Sequence, residues 1–120
     1  MLLIALLMTA AAPMQSQATM NASAGTSYAR ADAAMAAQWK RTYAYMKRRD
    51  AQDTSRGGGF GFAGSLLESQ RAWLKFRDAQ CVIEGGEFAG GSMQNMAAAQ
   101  CRTRLTDERT VQLRKLEWTR

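Results

Sequence analysis

The two cysteines of this 120-residue chain, Cys81 and Cys101, lie ten residues before and ten residues after Gly91. If a helical chain reverses direction near Gly91, both cysteines lie at the same height on neighbouring antiparallel helices. Their Cα atoms then come within the roughly 7 Å that a disulfide needs, and the bridge stabilises the domain by about 3 kcal/mol in the chain-entropy model. The spacing therefore predicts a disulfide-closed helix hairpin in an oxidising compartment; in the cytosol, two buried thiols are the alternative.

The N-terminal segment of the chain indicates an oxidising compartment. Residues 2–12 form an apolar run without a charge, shorter than the roughly 20 residues that span a bilayer. The run ends at Pro13, and Ser16 and Ala18 place small residues where a signal peptidase reads them. We therefore predict a signal peptide over residues 1–18 and a periplasmic or secreted mature protein without a transmembrane span. A buried N-terminal helix is the alternative interpretation.

The composition of the rest of the chain favours helix. Alanine, methionine, glutamine and arginine are plentiful, and no proline follows Pro13. A chain of this length forms at most one domain with one modest core. We therefore predict a single all-α domain over residues 19–120, a small three-helix bundle with a C-terminal helix hairpin stapled by one disulfide.

Apolar spacing and capping residues predict where these helices lie. Tyrosine, methionine and tryptophan residues recur at helical spacing over residues 27–49, which predicts the first helix. Ser65 and Glu68 form a capping-box pattern, which indicates that the second helix begins at Ser65. We expect this helix to reach at least Val82. Ser92 follows a glycine pair and is a natural N-cap for the third helix.

A glycine-rich segment joins the first two predicted helices. Residues 59–64 match G-x-G-x-x-G, the pattern of dinucleotide-binding loops. That kind of site needs a preceding strand within a βαβ unit, whereas a charged helix end precedes this segment. We therefore predict a flexible linker and no nucleotide cofactor, with Phe60 and Phe62 as candidates for packing onto the helices.

Charge and residue content exclude several classes of function. The net charge is +6, which favours anionic partners or simply a solvated surface. The basic run at residues 47–49 lies in the last turn of a predicted helix, where cations complement the helix dipole, so we do not predict nucleic-acid binding. Because the chain has no histidine and only two cysteines, we predict no zinc site, no histidine-dependent catalysis and no enzymatic activity.

The second half of the chain resembles a known family. The pattern W-x-x-[YF]-R-D-A-x-C ends at Cys81, and it is followed by G-G-S at residues 90–92, by Cys101 and by L-T-x-x-R-T-x-x-L from Leu105. Over roughly residues 69–116 this combination resembles the LprI-type lysozyme-inhibitor family of exported bacterial proteins, and the first helix fits it more loosely. Many members carry a further cysteine near the position of Ser23, so the resemblance implies that this chain has lost a second disulfide.

Five residues of the family pattern are expected to have structural roles. Trp73 and Phe76 are predicted core residues, and Leu105 belongs to the inner face of the third helix. Arg77 and Arg109 are expected to pair across the hairpin with carboxylates, the candidates being Asp78, Asp107 and Glu108.

The turn between the cysteines is the candidate contact surface. It contains two carboxylates and an aromatic residue, Glu84, Glu87 and Phe88, on a predicted protruding tip. The resemblance implies an inhibitor of lysozyme or a related cell-wall hydrolase, and we expect the tip to make that contact; a solvated turn is the alternative. The second function class is a basic envelope protein that binds peptidoglycan, anionic lipid or another periplasmic protein.

Overall fold

The computed structural model describes residues 16–54, 57 and 59–119, which form three helices and no strand. Helix α1 spans Gln17–Gln52, α2 spans Phe62–Gly86 and α3 spans Gln94–Lys115. Helices α2 and α3 form an antiparallel hairpin, and α1 packs along both of them. The predicted all-α bundle is therefore confirmed. None of these helices is both long and apolar enough to cross a membrane.

The predicted disulfide closes the hairpin. Cys81 of α2 and Cys101 of α3 are bonded, with their Cα atoms 5.4 Å apart, and both side chains are buried. One helical turn further towards the tip, Gly85 lies against Ala98, where an added Cβ would come within 3.0 Å of the Ala98 Cβ. The absence of a side chain at Gly85 lets the two helices approach closely beside the bridge.

Helix α1 begins about three turns earlier than its apolar pattern predicts, at Gln17 instead of residue 27. Ser16 is its N-cap, and the Ser16 hydroxyl accepts a hydrogen bond from the Thr19 backbone N–H at 3.1 Å. The added turns are rich in alanine and small polar residues, which form helix without the apolar periodicity that marks a buried face. Of the predicted signal peptide, residues 1–15 lie outside the described residues, so that segment stays a prediction.

The start of α2 differs from the predicted capping box. The helix begins at Phe62, so Ser65 lies inside it and does not cap it. Instead the Asp50 carboxylate, near the end of α1, accepts hydrogen bonds from the backbone N–H groups of Gly61, Phe62 and Ala63 at 3.2, 2.8 and 3.0 Å. Three donors that would lack helical partners are thereby satisfied by a residue more than ten positions earlier in the chain.

The glycine-rich segment makes this cap geometrically feasible. Gly59 has a φ of +91°, and an added Cβ there would lie 2.7 Å from the Asp50 carbonyl oxygen. Only glycine combines this backbone conformation with so close an approach. Phe62 is half-buried and packs edge-on against Trp118 at a centroid distance of 5.8 Å. Phe60 contacts the Phe62 ring at a tilted angle but remains 53% exposed.

The predicted cap of the third helix is also wrong. Helix α3 begins at Gln94, with Met93 as its N-cap residue, so Ser92 lies in the preceding turn. The Gln94 side-chain oxygen instead accepts a hydrogen bond from the backbone N–H of Gly90 at 3.2 Å. A side chain inside the helix therefore ties the turn to the helix start.

The core of the bundle is small and partly polar. Its buried apolar centre is Met35, Met46, Leu66 and Leu113, with half-buried aromatic and aliphatic side chains around it, Trp73 among them. Six polar or charged residues are also buried: Gln38, Thr42, Gln70, Arg77, Thr106 and Arg109. Leu105 is half-buried, but Phe76 is 55% exposed, so its predicted place in the core is wrong. The inner face of α2 is occupied by Leu66, Gln70 and Arg77, and Phe76 lies on the opposite face.

We predict that reduction of the disulfide strongly destabilises the protein. Loss of a bridge that closes a 20-residue separation removes about 3 kcal/mol in the chain-entropy model, which corresponds to a melting midpoint lower by on the order of 10 °C. Circular dichroism melts with and without a phosphine reductant measure this shift. The double variant Cys81→Ser with Cys101→Ser should melt at the same midpoint as the reduced wild type, and reductant should leave the midpoint of the variant unchanged. An oxidised midpoint that reductant leaves unmoved would contradict the prediction.

We also predict an acid-dependent contribution from Asp50. Its three backbone hydrogen bonds, the one from Ala63 foremost, lower the pKa of Asp50 below its ordinary value. The stabilisation is therefore complete above the ordinary pKa of an aspartate and is lost as pH falls through the lower folded value. Asp50→Asn should lower the melting midpoint at pH 7, and this deficit should shrink between about pH 5 and pH 2.

Asp107→Asn is the matched control, because Asp107 is exposed on α3. Melts of both variants and the wild type across this pH range measure the effect. If the melting midpoint of Asp50→Asn stays below that of the wild type by the same amount down to about pH 2, the charge of Asp50 is not the cause of the stabilisation.

Candidate functional site

The tip of the bundle is the turn between α2 and α3, residues 87–93. Backbone hydrogen bonds hold it: the Phe88 N–H donates to the Gly85 carbonyl at 3.1 Å, and the Gly91 N–H donates to the Phe88 carbonyl at 2.9 Å. Gly90 adopts a φ of +78°, which reverses the chain. Glu87 and Phe88 are both exposed on this turn, so the structure presents a carboxylate and an aromatic ring together on an ordered loop.

Glu84 lies in the last turn of α2 and not in the loop, because the helix continues through Gly85 to Gly86. Arg104 of α3 approaches both Glu84 carboxylate oxygens at 2.9 Å, and the Gln80 amide donates to one of them at 3.2 Å. The Arg104 hydrogen bond is the main reason that the pKa of Glu84 lies below its ordinary value. The predicted contact residue therefore already has a partner within the hairpin.

The Glu84–Arg104 pair and the disulfide form one unit, here called the clasp: Cys81, Glu84, Cys101 and Arg104. A Glu84 carboxylate oxygen lies 3.2 Å from the Cys101 sulfur, and Arg104 reaches across the same helix interface. The pair is partly solvated, with 33% of the Glu84 side chain exposed. Its contribution to stability is therefore small, and its effect is to hold the register of the two helices next to the tip.

Arg77 of the family pattern is buried between all three helices. Its guanidinium pairs with Asp78 at 3.0 Å and with Asp32 of α1 at 3.6 Å, and it lies 5.3 Å from the centre of the Trp73 ring. The Thr106 hydroxyl of α3 is a further partner at 3.4 Å. The predicted pairing of Arg77 with a carboxylate across the hairpin is wrong, since Asp78 adjoins Arg77 on the same helix. The contact with Asp32 links α1 to α2 and was not foreseen.

Arg109 is the second buried arginine, and the carboxylate partners expected for it are wrong. Its guanidinium donates to Gln70 at 2.9 Å and to Ser69 at 3.0 Å, and it lies 5.8 Å from the Trp73 ring. No carboxylate in the part of the chain that the structure describes forms an ion pair with it. Burial lowers the pKa of Arg109 below its usual value, but an arginine remains protonated.

Trp73 thus lies against two guanidinium groups, which explains why tryptophan and two arginines occur together in the sequence pattern. The ring faces of tryptophan attract cations, and the planar guanidinium packs on them without losing its in-plane hydrogen bonds. The three side chains connect α2 to α3 at the middle of the bundle.

Other surfaces were less evident from sequence. An open groove of about 690 Å³ runs between the first half of α1 and α3, and Met20, Met96 and Arg104 are among its lining residues. Helix α2 also exposes large apolar residues: Phe76 is 55%, Val82 66% and Ile83 69% exposed. Among the described residues, no group of three or more histidine, cysteine, aspartate and glutamate side chains could hold a metal ion.

Comparison with known families agrees with the sequence pattern. The family described as "Lysozyme inhibitor LprI" matches residues 8–113, which include all of α1 and α2 and nearly all of α3. The chain belongs to the LprI family. It is also 34% identical over 102 residues to an uncharacterised protein of Rhizobium meliloti (strain 1021), an alignment that covers 84% of this chain and 73% of that protein. No solved structure matches the chain.

The LprI match extends beyond the segment in which the resemblance was noticed. The sequence pattern covered roughly residues 69–116, whereas the family match also includes the first helix. This is consistent with the contacts of α1, since its Asp32 reaches Arg77 and its Thr42 donates to the Leu113 carbonyl at 3.0 Å. By its description the family is one of inhibitors and not of enzymes.

We predict that the guanidinium fork at position 109 cannot be replaced by an ammonium group. Arg109→Lys keeps the charge but leaves Gln70 or Ser69 without its partner, which should destabilise the fold by about 1–3 kcal/mol. Arg114→Lys is the matched control, because Arg114 is exposed on the same helix. Denaturant titration of both variants measures the difference. Equal unfolding midpoints for the two variants would show that the fork contributes nothing.

Proposed function

We propose that this LprI-family chain is an exported, non-enzymatic inhibitor of lysozyme or a related cell-wall hydrolase, and that the hairpin tip makes the contact. The family description supports the target class. The Cys81–Cys101 disulfide supports folding in an oxidising compartment, and the apolar segment at residues 2–12 supports export through a signal peptide over residues 1–18. An inhibitor of this kind needs no cofactor.

The fixed conformation of the tip is the observation that most directly supports the proposal. Because Glu87 and Phe88 stand on a turn fixed by backbone hydrogen bonds and by the adjacent clasp, binding would cost little conformational entropy. An aromatic ring beside a carboxylate supplies both apolar contact area and a directed charge. Aromatic residues are enriched among those that dominate binding energies at interfaces.

Electrostatics favour the tip over the rest of the surface. Lysozymes of the animal type are strongly basic, and this chain carries a net charge of +6, so the two proteins repel each other at long range. The carboxylates of Glu84 and Glu87 provide local negative charge at one end of the molecule. Glu84 is a third exposed and could share its carboxylate with a cation of the target while it keeps Arg104. Glu87 and Phe88 are therefore the principal proposed contacts, and Glu84 is a secondary one.

A tip variant tests the proposal. Glu87→Ala with Phe88→Ala should weaken inhibition by about tenfold or more, as expected when central interface residues are truncated. Glu108→Ala is the control, since Glu108 is an exposed carboxylate on α3 outside the tip. Cell-wall turbidity assays with several lysozymes measure inhibition, and a melting curve checks the fold. Full inhibition by the tip variant would reject the tip as the contact, and a wild type that inhibits none of the enzymes would reject the function.

Adding Glu84→Ala to Glu87→Ala separates the two carboxylates. Because Glu84 is a proposed secondary contact, the double variant should inhibit less well than Glu87→Ala alone. Equal inhibition by the two variants would show that Glu84 acts only within the clasp.

The outer face of α1 supports the second function class, binding to an anionic cell-envelope polymer or lipid. Lys40, Arg41 and Arg48 line an open groove of about 370 Å³ whose one carboxylate is that of Glu117, and Lys47 is exposed on the same helix. Such a surface binds polyanions mainly through charge, so its binding weakens with salt. Sedimentation with cell walls or anionic vesicles at increasing salt tests it. Salt-sensitive binding by a protein that inhibits no lysozyme would favour this second function.

A further inference from the structure

We propose that the groove between α1 and α2 binds a fatty acid, with the carboxylate at its polar groups and the acyl chain along its apolar floor. The groove is open, has a volume of about 550 Å³ and follows α1 from Tyr28 to Lys40. This volume lies within the range of small-molecule sites, which are mostly apolar and contain a few convergent polar groups. The groove is present because α1 packs more closely against α3 than against α2.

The floor of the groove is the uncovered flank of the apolar core. Met35 is buried there, and Trp39 and Leu74 pack against the core but are only half-buried. Leu67 of α2 is half-buried in the same lining. An acyl chain that covers these side chains removes apolar surface from water, and each methylene it buries strengthens binding by up to about fourfold.

Two cations border the groove without an acidic partner. Lys40 and Arg71 lie on its opposite walls, α1 and α2, and neither forms an ion pair within the described part of the chain. Among the described residues that line the groove, Asp32 is the one carboxylate, and it is paired with Arg77. That pair contributes no net charge, so the lining has two uncompensated positive charges. These charges favour an anionic ligand.

A buried amide places hydrogen-bond donors at the floor. Gln70 is 7% exposed, and its side-chain oxygen accepts a hydrogen bond from Arg109 at 2.9 Å. This contact fixes the orientation of the amide, so that its nitrogen lies beside Met35 in the lining of the groove. The acceptor there is the Met35 sulfur at 3.6 Å, and a thioether is a weak acceptor for one of two N–H groups. A carboxylate oxygen would be a much stronger acceptor for this buried donor.

These polar groups converge on one part of the groove. Helices α1 and α2 run in opposite directions, and Met35 contacts Gln70, so Lys40 lies about 9 Å further along the groove than Arg71 at 1.5 Å per residue. Side chains on a helix lean towards its N-terminus, so Lys40 and Arg71 lean towards each other beside the Gln70 amide. A carboxylate held there leaves the acyl chain to run over Leu74 towards Tyr28.

A fatty carboxylate fits this lining better than a lysophospholipid or a protein segment. Its two oxygens can accept from the Arg71 fork and the Gln70 amide together. The glycerol and phosphodiester of a lysophospholipid would need further polar partners, whereas the rest of the lining is apolar apart from Tyr28 and the Asp32–Arg77 pair. A basic hydrolase would be repelled by the two free cations.

Isothermal titration calorimetry of the oxidised protein with sodium decanoate tests the proposal. The wild type should bind decanoate saturably, with a dissociation constant below about 1 mM. Hexanoate should bind roughly tenfold more weakly or worse, because its shorter chain buries fewer methylenes. Decyltrimethylammonium, with a cationic head on a chain of the same length, should also bind roughly tenfold more weakly or worse. Equal affinities for decanoate and this cation would overturn the recognition of a carboxylate.

A matched pair of variants locates the site. Ala36 is an exposed residue of the lining, and Ala37 is exposed on α1 outside it. Ala36→Glu should weaken decanoate binding by roughly tenfold or more, because the new carboxylate repels that of the ligand. Ala37→Glu makes the same change in charge and should keep the wild-type affinity within about twofold. Melting curves verify that both variants fold. Equal weakening by both variants would overturn the groove as the site.

A third variant tests the amide. Gln70→Glu keeps an oxygen for the Arg109 hydrogen bond, so the fold should be retained, but it removes the N–H donors. It should weaken decanoate binding by roughly tenfold or more. Wild-type affinity in a folded Gln70→Glu protein would overturn the contact between this amide and the ligand.

Other occupants of the groove give different results. Tighter binding of a lysophosphatidylglycerol with the same acyl chain than of decanoate would overturn the fatty carboxylate as the ligand. If the wild type binds no decanoate and Ala36→Glu abolishes lysozyme inhibition, the groove belongs to the target protein and the proposal is wrong. The titration needs no lysozyme, so its result is independent of whether the proposed inhibition is found.

Discussion

The Cys81–Cys101 disulfide fixes the position of α2 relative to α3 along the axis of the hairpin, and the contacts next to the tip depend on that position. The apolar core has few fully buried side chains, Leu113 and Met46 foremost, and many of its neighbours are only half-buried. A domain with so little buried apolar surface has little stability to spare. By fixing the register of the hairpin, the bridge also places Gly85 against Ala98 and Glu84 beside Arg104, and so it determines the shape of the tip.

The interior of the bundle is partly polar because its apolar core is small. Arg77 and Arg109 would be costly to bury alone, but Trp73 lies between them, and amide, hydroxyl and carboxylate oxygens, including that of the half-exposed Asp78, accept hydrogen bonds from their guanidinium groups. The half-exposed Asp32 forms a further ion pair with Arg77. In the described part of the chain, no buried side-chain nitrogen or oxygen lacks a partner. Such a network specifies one arrangement of three helices, since a rotation of any helix would leave a charged group unpaired. Trp73, Arg77 and Arg109 of the family pattern therefore meet the requirements of this interior.

Much of the fold followed from local patterns in the sequence. The symmetric placement of the cysteines about Gly91 predicted the hairpin, and helix-favouring composition predicted the all-α bundle. The helix boundaries were predicted less well, because the starts of α2 and α3 do not follow the usual capping motifs. Asp50 caps α2 from the end of α1, and Gln94 bonds the turn from inside α3. The Asp50 contacts span more than ten residues, so a rule that looks only a few residues along the chain misses them. The Gln94 contact spans four residues, but it does not follow the capping-box pattern.

For the candidate site, too, some features followed from the sequence and others only from the tertiary structure. Sequence alone determined which residues carry charge, where the chain can reverse, and which two cysteines can meet, because each of these depends on residue type and spacing. Only the tertiary structure decided that Glu84 pairs with Arg104, that Arg77 contacts Asp32, and that Phe76 is exposed. The physical reason is that α2 is apolar on two faces, and periodicity cannot tell which face its neighbours cover. That choice depends on the angle at which α1 and α3 pack against it, and this angle is set by contacts between residues far apart in the chain.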